Sequence, residues 1–142
     1  MYSEKVYELF DNLKNSGRVK GAEAVGQAED NNSHDVVKIF MQIQNETVVD
    51  AKFKICGSIA SMIIADYAMD LVKNCTLTEV KALTLDKLTE NFVNVKDFDI
   101  YSARVILTAI KQAVENYEEK QRKALIKQLK EEGKTIPEEL KK

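Results

Sequence analysis

The stretch from residue 53 to residue 73 constrains the fold most, because it joins a strand directly to a largely apolar helix. Its sequence is FKICGSIASMIIADYAMDLVK. Alternating apolar and polar residues predict a strand that ends at Cys56, and Gly57 then allows a sharp turn of the backbone. Ser58 is a preferred N-cap residue and predicts the start of the helix. Such a junction gathers unpaired backbone N–H groups and the positive end of the helix dipole, which suits an anion, a thiolate or a metal ligand.

Two alternating segments before Gly57 predict a β-hairpin. One face of each segment is apolar, with Val37, Ile39, Met41 and Ile43 in the first and Val49, Ala51, Phe53 and Ile55 in the second. The Asn45-Glu46 pair is short enough for a tight turn between them. With a short strand at residues 23–26, the sequence predicts an α+β fold, in which a small antiparallel sheet of about three strands packs against helices.

Two helices are expected to cover the dry face of this sheet. In the helix after Gly57, the residues at core spacing are Ala60, Ile64, Tyr67 and Leu71, while Asp66, Asp70 and Lys73 are expected to face solvent. Shorter helices are predicted after the Thr76/Glu79 capping box and over residues 85–92. A long C-terminal helix is predicted from near residue 101 to about residue 132, with Ile106, Ile110, Ala113, Val114 and Tyr117 buried.

The segment after Tyr117 is rich in charge and continues an apolar stripe only at Ala124, Leu125 and Leu129. Gly133 and Pro137 are expected to break the helix. The sequence therefore predicts one domain over residues 1–117 and a charged helical extension over residues 118–142.

Composition narrows the classes of function. The net charge is −2, with 44% apolar and 31% charged residues, so no partner such as nucleic acid or an anionic membrane is expected. No apolar run approaches the ~20 residues of a membrane span. The two cysteines have no pairing pattern, and we expect a soluble protein in a reducing, cytoplasmic setting.

Several segments resemble one known family in order and spacing. Residues 1–27 contain a Tyr-Ser-x-x-Val helix, an Asn-x-Gly stop and an Ala-x-x-Val-Gly strand. After these come the hairpin and then, in order, the segments VDAKFKICGS, LVKNCTLTEV and AVENY. Over residues 1–117 the chain resembles the IscU/NifU N-terminal (SufU-like) family of iron–sulfur cluster assembly scaffolds, whose fold is a small antiparallel sheet packed against helices.

The resemblance also implies where cluster ligands would lie. Members of that family hold a nascent cluster or zinc with three cysteines and a nearby aspartate or histidine. The corresponding positions in this chain are Ser33-His34-Asp35, Ser58 and Tyr101-Ser102. Only the aspartate is kept, and serine hydroxyls are poor substitutes for thiolates as iron ligands or as acceptors of sulfur. The resemblance thus implies a divergent member for which no cofactor and no bound metal are expected.

A second feature of the family is missing as well. Its proline-rich stretch for a chaperone precedes the third cysteine, whereas residues 93–100 read VNVKDFDI and the one proline of the chain is Pro137. Handover of a cluster to a chaperone is therefore not expected.

Two alternatives involve the remaining polar residues. Asp35, His34 and Cys56 could form a substitute metal site if the loops converge, whereas Cys75 is interpreted as a packing residue. Ser58 or Ser102 could act as a nucleophile with His34 as its base. The sequence disfavours this second hypothesis, because Asp35 directly follows His34 and points away from it, and because no G-x-S-x-G motif is present.

The resemblance therefore implies a non-enzymatic binding or regulatory module that docks the family's partner, a cysteine desulfurase, or another scaffold protein. The alternative is a working iron–sulfur or zinc scaffold with substitute ligands around Asp35. In either case Ser33, Ser58 and Ser102 are expected to lie close together.

Overall fold

Three antiparallel strands form one sheet, in which each strand pairs with its neighbour in sequence. The computed structural model describes residues 3–92 and 100–141, with the backbone alone for residues 100 and 101. The strands are β1 (Ala24–Glu29), β2 (Val36–Gln44) and β3 (Thr47–Cys56). The helices are α1 (Glu4–Asp11), α2 (Ile59–Val72), α3 (Leu77–Lys81), α4 (Leu85–Thr89) and α5 (Ile100–Glu131), followed by a 3₁₀ turn (Glu138–Leu140). The predicted α+β fold with a small antiparallel sheet and a long C-terminal helix is confirmed.

The hairpin between β2 and β3 turns at Asn45 and Glu46, as predicted. Both residues have positive φ angles, 52° and 59°, which is the backbone conformation of a type I′ turn. The turn brings Gln44 opposite Thr47 and sets the register of the two strands.

A β-bulge in β3 overturns one part of the predicted alternation. Gln42 pairs with Asp50 and Ile43 pairs with Val48, so that Val49 is the extra residue. Val48 is fully buried, whereas Val49 is 40% exposed. The prediction that Val49 lies on the dry face is wrong, because an inserted residue shifts the two-residue period of the strand by one position.

Helix α5 packs very closely against β1. A Cβ atom at Gly26 would lie 2.3 Å from the carbonyl oxygen of Ala109 and 2.4 Å from the backbone nitrogen of Ala113, so only glycine fits there. The predicted buried stripe of α5 is confirmed, with Ile106, Ile110, Ala113 and Val114 fully buried and Tyr117 8% exposed. Helix α2 lies beside α5 and contacts β3.

The buried face of α2 differs from the predicted one. Ala60 and Ile64 are in the core as expected, but Tyr67 and Leu71 are only half-buried. The remaining buried residues of the helix are Ser61, Ile63, Ala65, Ala68, Met69 and Val72. Because α2 contacts β3 on one side and α5 on another, its buried face is wider than a single stripe and is centred away from Tyr67.

The polar face of α2 does more than contact solvent. Asp66 Oδ1 accepts hydrogen bonds from the backbone nitrogens of Lys14 and Asn15, at 3.0 and 2.7 Å. The side chain of Asn15 is buried and donates to Asp66 O at 2.9 Å and to Asp70 Oδ1 at 3.1 Å. Asp70 also pairs with Lys14 at 2.8 Å. These residues therefore hold the loop after α1 against α2, which sequence reasoning did not anticipate.

The two short helices form where the sequence predicts them, but the second is shorter than predicted. Thr76 and Glu79 form the predicted capping box at the start of α3. Helix α4 ends at Thr89, so the helix predicted over residues 85–92 is shorter. None of the helices in the described ranges is long and apolar enough to cross a membrane.

The C-terminal segment folds back on α5. The helix continues unbroken past Tyr117 to Glu131, and Gly133, with φ of 69°, follows its end. The guanidinium of Arg122 donates to the carbonyl oxygen of Leu140 and thereby holds the returning tail. Ile126 and Leu129, which lie at helical spacing from Arg122, are half-buried. Of the apolar positions noted in the sequence, Ala124 and Leu125 are exposed and Leu129 is half-buried.

Candidate functional site

A cleft of about 620 Å³ opens where the β1–β2 loop, the β3–α2 junction and the first turn of α5 meet. Its lining residues are Asp30, Asn32, Ser33, Asp35, Gly57, Ser58 and Ser102. Four positions singled out from the sequence, Ser33, Asp35, Ser58 and Ser102, thus line one cleft although they come from three separate parts of the chain.

Asp35 is the most buried carboxylate of this cleft, with 4% of its surface exposed. Its Oδ1 accepts a hydrogen bond from the backbone nitrogen of Ser58 at 3.2 Å. A Cβ atom on Gly57 would lie 2.1 Å from the same oxygen. Gly57 is absent from the glycines with positive φ, so this position requires glycine because the Asp35 carboxylate fills the space, and not because of the turn that the sequence suggested.

Ser58 has a structural role at the start of α2. Its Oγ accepts a hydrogen bond from the backbone nitrogen of Ser61 at 3.1 Å, which makes it the predicted N-cap. The hydroxyl of Ser61 donates back to the carbonyl oxygen of Ser58 at 2.7 Å. The Ser58 hydroxyl is therefore engaged in capping the N-terminus of α2.

The β1–β2 loop forms the opposite wall of the cleft. The hydroxyl of Ser33 donates to Asp30 Oδ2 at 2.7 Å, and the backbone nitrogen of Asn32 donates to Asp30 Oδ1 at 3.2 Å. These hydrogen bonds, the one from Ser33 first, hold the pKa of Asp30 below its usual range. Asp30 and Asn32 were missed in the sequence, although an aspartate followed by Asn-Asn-Ser is typical of a loop closed by its own side chain.

His34 and Cys56 do not line this cleft. His34 is exposed, and its backbone, with φ of 61°, donates to the carbonyl oxygen of Asp30 at 2.7 Å. Cys56 is exposed at the end of β3, opposite Val36. The structure therefore does not bring the candidate substitute ligands into the cleft with Asp35.

Two further candidate positions have other environments. The thiol of Cys75 donates to the carbonyl oxygen of Leu71 at 3.1 Å, and burial, with a smaller effect of Glu79, raises its pKa. Tyr101 lies in the first turn of α5, and its side chain is outside the described part of the structure, as is the connector of residues 93–99. Within residues 3–92 and 100–141, no three His, Cys, Asp or Glu side chains are grouped so that they could hold a metal ion.

The chemistry available in the described cleft is that of oxygen atoms. Carboxylates and hydroxyls accept and donate hydrogen bonds, but they supply neither a thiolate nucleophile nor a soft metal ligand. The Ser/His hydrolase hypothesis also lacks its geometry, because the hydroxyl of Ser58 caps α2 and His34 is outside the cleft.

Comparison with known proteins gives one consistent result. The family model for the NifU-like N terminal domain matches residues 1–124. The chain is 27% identical over 133 residues to the iron–sulfur cluster assembly scaffold protein IscU 1 of Archaeoglobus fulgidus, covering 94% of this chain and 86% of that protein. It is also 27% identical over 125 residues to the iron–sulfur cluster assembly protein IscU of Plasmodium falciparum, covering 84% of this chain and 75% of that protein.

Solved structures share the fold. A NifU-like N-terminal protein of Brucella abortus superposes with a TM-score of 0.65 at 16% identity, covering 83% of this chain and 94% of that chain. A putative scaffold protein for the SUF system of Fervidobacterium islandicum superposes with a TM-score of 0.60 at 20% identity, covering 80% and 96%. Since the family model spans most of the sequence and the fold agrees, the chain belongs to the NifU-like N-terminal domain family of iron–sulfur cluster assembly scaffolds.

Proposed function

We propose that this chain is a member of the scaffold family that no longer binds an iron–sulfur cluster and acts instead by docking other proteins of cluster assembly. The observation that carries the proposal is the serine-lined cleft. Ser33, Ser58 and Ser102 lie at the positions where the resemblance expects the three cysteines, and they line one cleft with Asp35.

The donor set does not fit the family's cargo. Iron–sulfur clusters are held by thiolates, and a structural zinc site takes four ligands, mostly thiolates and imidazoles. The described cleft offers the carboxylates of Asp30 and Asp35 and three hydroxyls, of which those of Ser33 and Ser58 hold the local backbone. Serine hydroxyls ionise far above neutral pH and are poor ligands for soft metals.

The partner we propose is a cysteine desulfurase or another scaffold protein. A chain without a thiol in its cleft cannot take over sulfur there, because transfer of a persulfide requires an attacking thiolate. A chain that binds the partner without accepting sulfur would compete with a sulfur-accepting scaffold or regulate the partner. It would have no catalytic role of its own. A reducing cytoplasmic setting fits the two free cysteines.

The alternative of a working scaffold with substitute ligands has weaker support. It requires Asp35, His34 and Cys56 to converge, whereas the exposed side chains of His34 and Cys56 do not line the cleft. No observation on the described residues favours it over the docking role.

Restoring the thiols tests the proposal. The triple variant Ser33→Cys, Ser58→Cys, Ser102→Cys is expected to bind about one zinc ion or one cluster per chain. The matched control replaces the other three serines of the chain, Ser3, Ser16 and Ser61, and is expected to bind neither. Loss of the Ser58 cap lowers stability by about 1 kcal/mol, so folding is checked by circular dichroism. A triple variant that folds but binds no metal would contradict the assignment of the cleft.

The docking role is tested with a purified cysteine desulfurase from the same cells. The wild-type chain is expected to co-elute with the desulfurase in gel filtration and to carry no labelled sulfur after incubation with labelled cysteine. Absence of a complex would reject the desulfurase as the partner, and the same experiment with a purified scaffold protein from these cells then decides the docking role. Sulfur on Cys56 would favour the alternative scaffold.

A further inference from the structure

The outer face of the sheet, opposite the helices, carries a concentrated positive charge. Lys38 in β2 lies directly opposite Lys54 in β3, and Lys52 lies opposite Phe40. Arg18 reaches the same face from the segment before β1, since its guanidinium carbon is 5.7 Å from the centre of the Phe40 ring. We call these four residues, Arg18, Lys38, Lys52 and Lys54, the basic face.

None of these four cations is neutralised within the described part of the chain. Eight ion pairs occur there, and all of them involve other residues. Asp50 shares the outer face, but its carboxylate accepts a hydrogen bond from the neighbouring backbone nitrogen of Ala51 at 2.9 Å and forms no ion pair. The unpaired cluster is notable because the whole chain has a net charge of −2.

This arrangement lowers the stability of the isolated protein. Like charges directly opposite each other on neighbouring strands repel. A solvated protein surface normally mixes charges of both signs. The distal part of helix α5 does so, since Arg122 and Lys123 pair there with Glu119. An occupant with negative charge would relieve the repulsion between Lys38 and Lys54.

The basic face is also partly organised in advance. The ammonium group of Lys38 lies 5.5 Å from the centre of the Phe40 ring, and Arg18 is held against the same ring. Phe40 is itself only 4% exposed. Because these cation–π contacts restrict the two side chains before binding, less side-chain entropy is lost when a partner binds.

We propose that the basic face docks a carboxylate-rich segment of a partner protein. This deepens the proposed function and rests on its claim that the chain acts by docking. The spacing favours an extended acidic segment, since alternate residues of a strand such as Lys52 and Lys54 are about 6.8 Å apart and would face alternate carboxylates. An acidic protein is chosen over nucleic acid because the proposed function is the docking of other proteins of cluster assembly, and the binding test compares the two kinds of anion directly.

The face also ends beside the serine-lined cleft. Cys56 follows Lys54 by two residues on the same strand, and Gly57 and Ser58 then line the cleft. A partner seated on the basic face would therefore lie next to the cleft.

The test uses a fluorescein-labelled peptide of four Glu-Ser repeats and the full chain. Fluorescence anisotropy is expected to show binding at low salt that weakens as sodium chloride is added, while the Gln-Ser counterpart does not bind. The variant Lys38→Glu, Lys54→Glu is expected to bind about tenfold more weakly or worse. The matched control Lys127→Glu, Lys130→Glu has the same net charge and changes exposed lysines that form no ion pair in the described part.

The control variant is expected to lose less than about 1.5-fold in affinity, because its charges are distant and screened by salt. The single variant Lys54→Glu, at an exposed position, covers the case in which the double variant does not fold, and it is expected to lose about threefold. Equal losses in both double variants, or no binding of the wild-type chain, would overturn the proposal. Tighter binding of a DNA oligonucleotide that the Lys38/Lys54 variant abolishes would overturn the protein partner in favour of nucleic acid. Peptide binding is measured independently of metal content. A metal found in the cleft would therefore reject the proposed function without changing the interpretation of the binding result.

Discussion

The carboxylate of Asp35 occupies the space in which residue 57 would carry a side chain. A Cβ atom at Gly57 would be 2.1 Å from Asp35 Oδ1, and the same oxygen accepts the backbone N–H of Ser58 at 3.2 Å. The loop before β2 and the start of α2 are thus fitted to each other through one buried carboxylate. This contact fixes the position of two walls of the cleft.

Substitution of Gly57 by alanine tests this contact. Gly57→Ala is expected to lower the free energy of unfolding by about 2 kcal/mol, because the new methyl group overlaps the carboxylate. Adding Asp35→Ala is expected to recover part of that loss, since it removes the overlapping group. Urea denaturation of the two single variants and the double variant measures the coupling, expected to be about 1 kcal/mol or more. Strictly additive effects would mean that the two residues do not share this space.

The bulge in β3 gives a second prediction with a built-in control. Val48→Ala is expected to lower the free energy of unfolding by about 2 kcal/mol, because Val48 is fully buried in the core. Val49→Ala is expected to change it by less than about 0.5 kcal/mol, because Val49 is 40% exposed. The two variants lose the same atoms at neighbouring positions. The opposite order of effects, with Val49 the sensitive position, would restore the simple alternation and remove the bulge.

The contact at Gly57 and the bulge in β3 are features that the sequence alone does not predict. Alternation and the Asn45-Glu46 turn were sufficient to predict the hairpin, because both are local signals. The bulge at Val49 could not be read in the same way, since only pairing with β2 decides which residue is left over. The role of Gly57 was also misread, because the atom that excludes a side chain comes from Asp35, far away along the chain.

The candidate site was predictable only in part. The resemblance to a family predicted that Ser33, Asp35, Ser58 and Ser102 share one site. These four residues do line one cleft. Asp30 was not predicted, because its importance depends on how the loop closes through its hydrogen bonds. Loop geometry of this kind has no simple signal in a single sequence.

Asn15 provides a test of the contact between α2 and the loop after α1. Its side chain is 2% exposed and donates to Asp66 O and Asp70 Oδ1. Asn15→Ala is expected to cost about 2 kcal/mol of stability, because buried hydrogen-bonding groups lose their partner. Asn12→Ala, at an exposed position where the side-chain amide donates to Glu8 O, is expected to cost less than about 0.5 kcal/mol. Equal costs by thermal or urea denaturation would contradict the buried role of Asn15.

Asp70 predicts a specific dependence of stability on pH. Partial burial alone would raise its pKa, but hydrogen bonds from Lys14 and Asn15 and the charges of Lys14 and Lys73 outweigh burial and lower it. A carboxyl whose pKa is lower in the folded state stabilises the protein above its unfolded pKa of about 3.9 and loses this contribution as pH falls through the folded value.

Asp70→Asn should therefore reduce stability at neutral pH and flatten the loss of stability below about pH 4. The measurement is the melting temperature from pH 7 down to pH 2. Glu131→Gln, which removes an exposed carboxylate at the end of α5, serves as the control and should leave the profile unchanged. An unaltered acid profile in Asp70→Asn would show that this carboxylate is not held by its cationic neighbours.

The most direct test of the central claim is the metal and sulfide content of the wild-type chain purified without oxygen. Iron, zinc and acid-labile sulfide are measured per chain after removal of loosely bound ions with a chelator. Because the described cleft supplies hydroxyls and carboxylates in place of thiolates, the account predicts less than about a tenth of an equivalent of each. About one tightly held iron or zinc per chain, with or without sulfide, would contradict it and establish a working scaffold with substitute ligands.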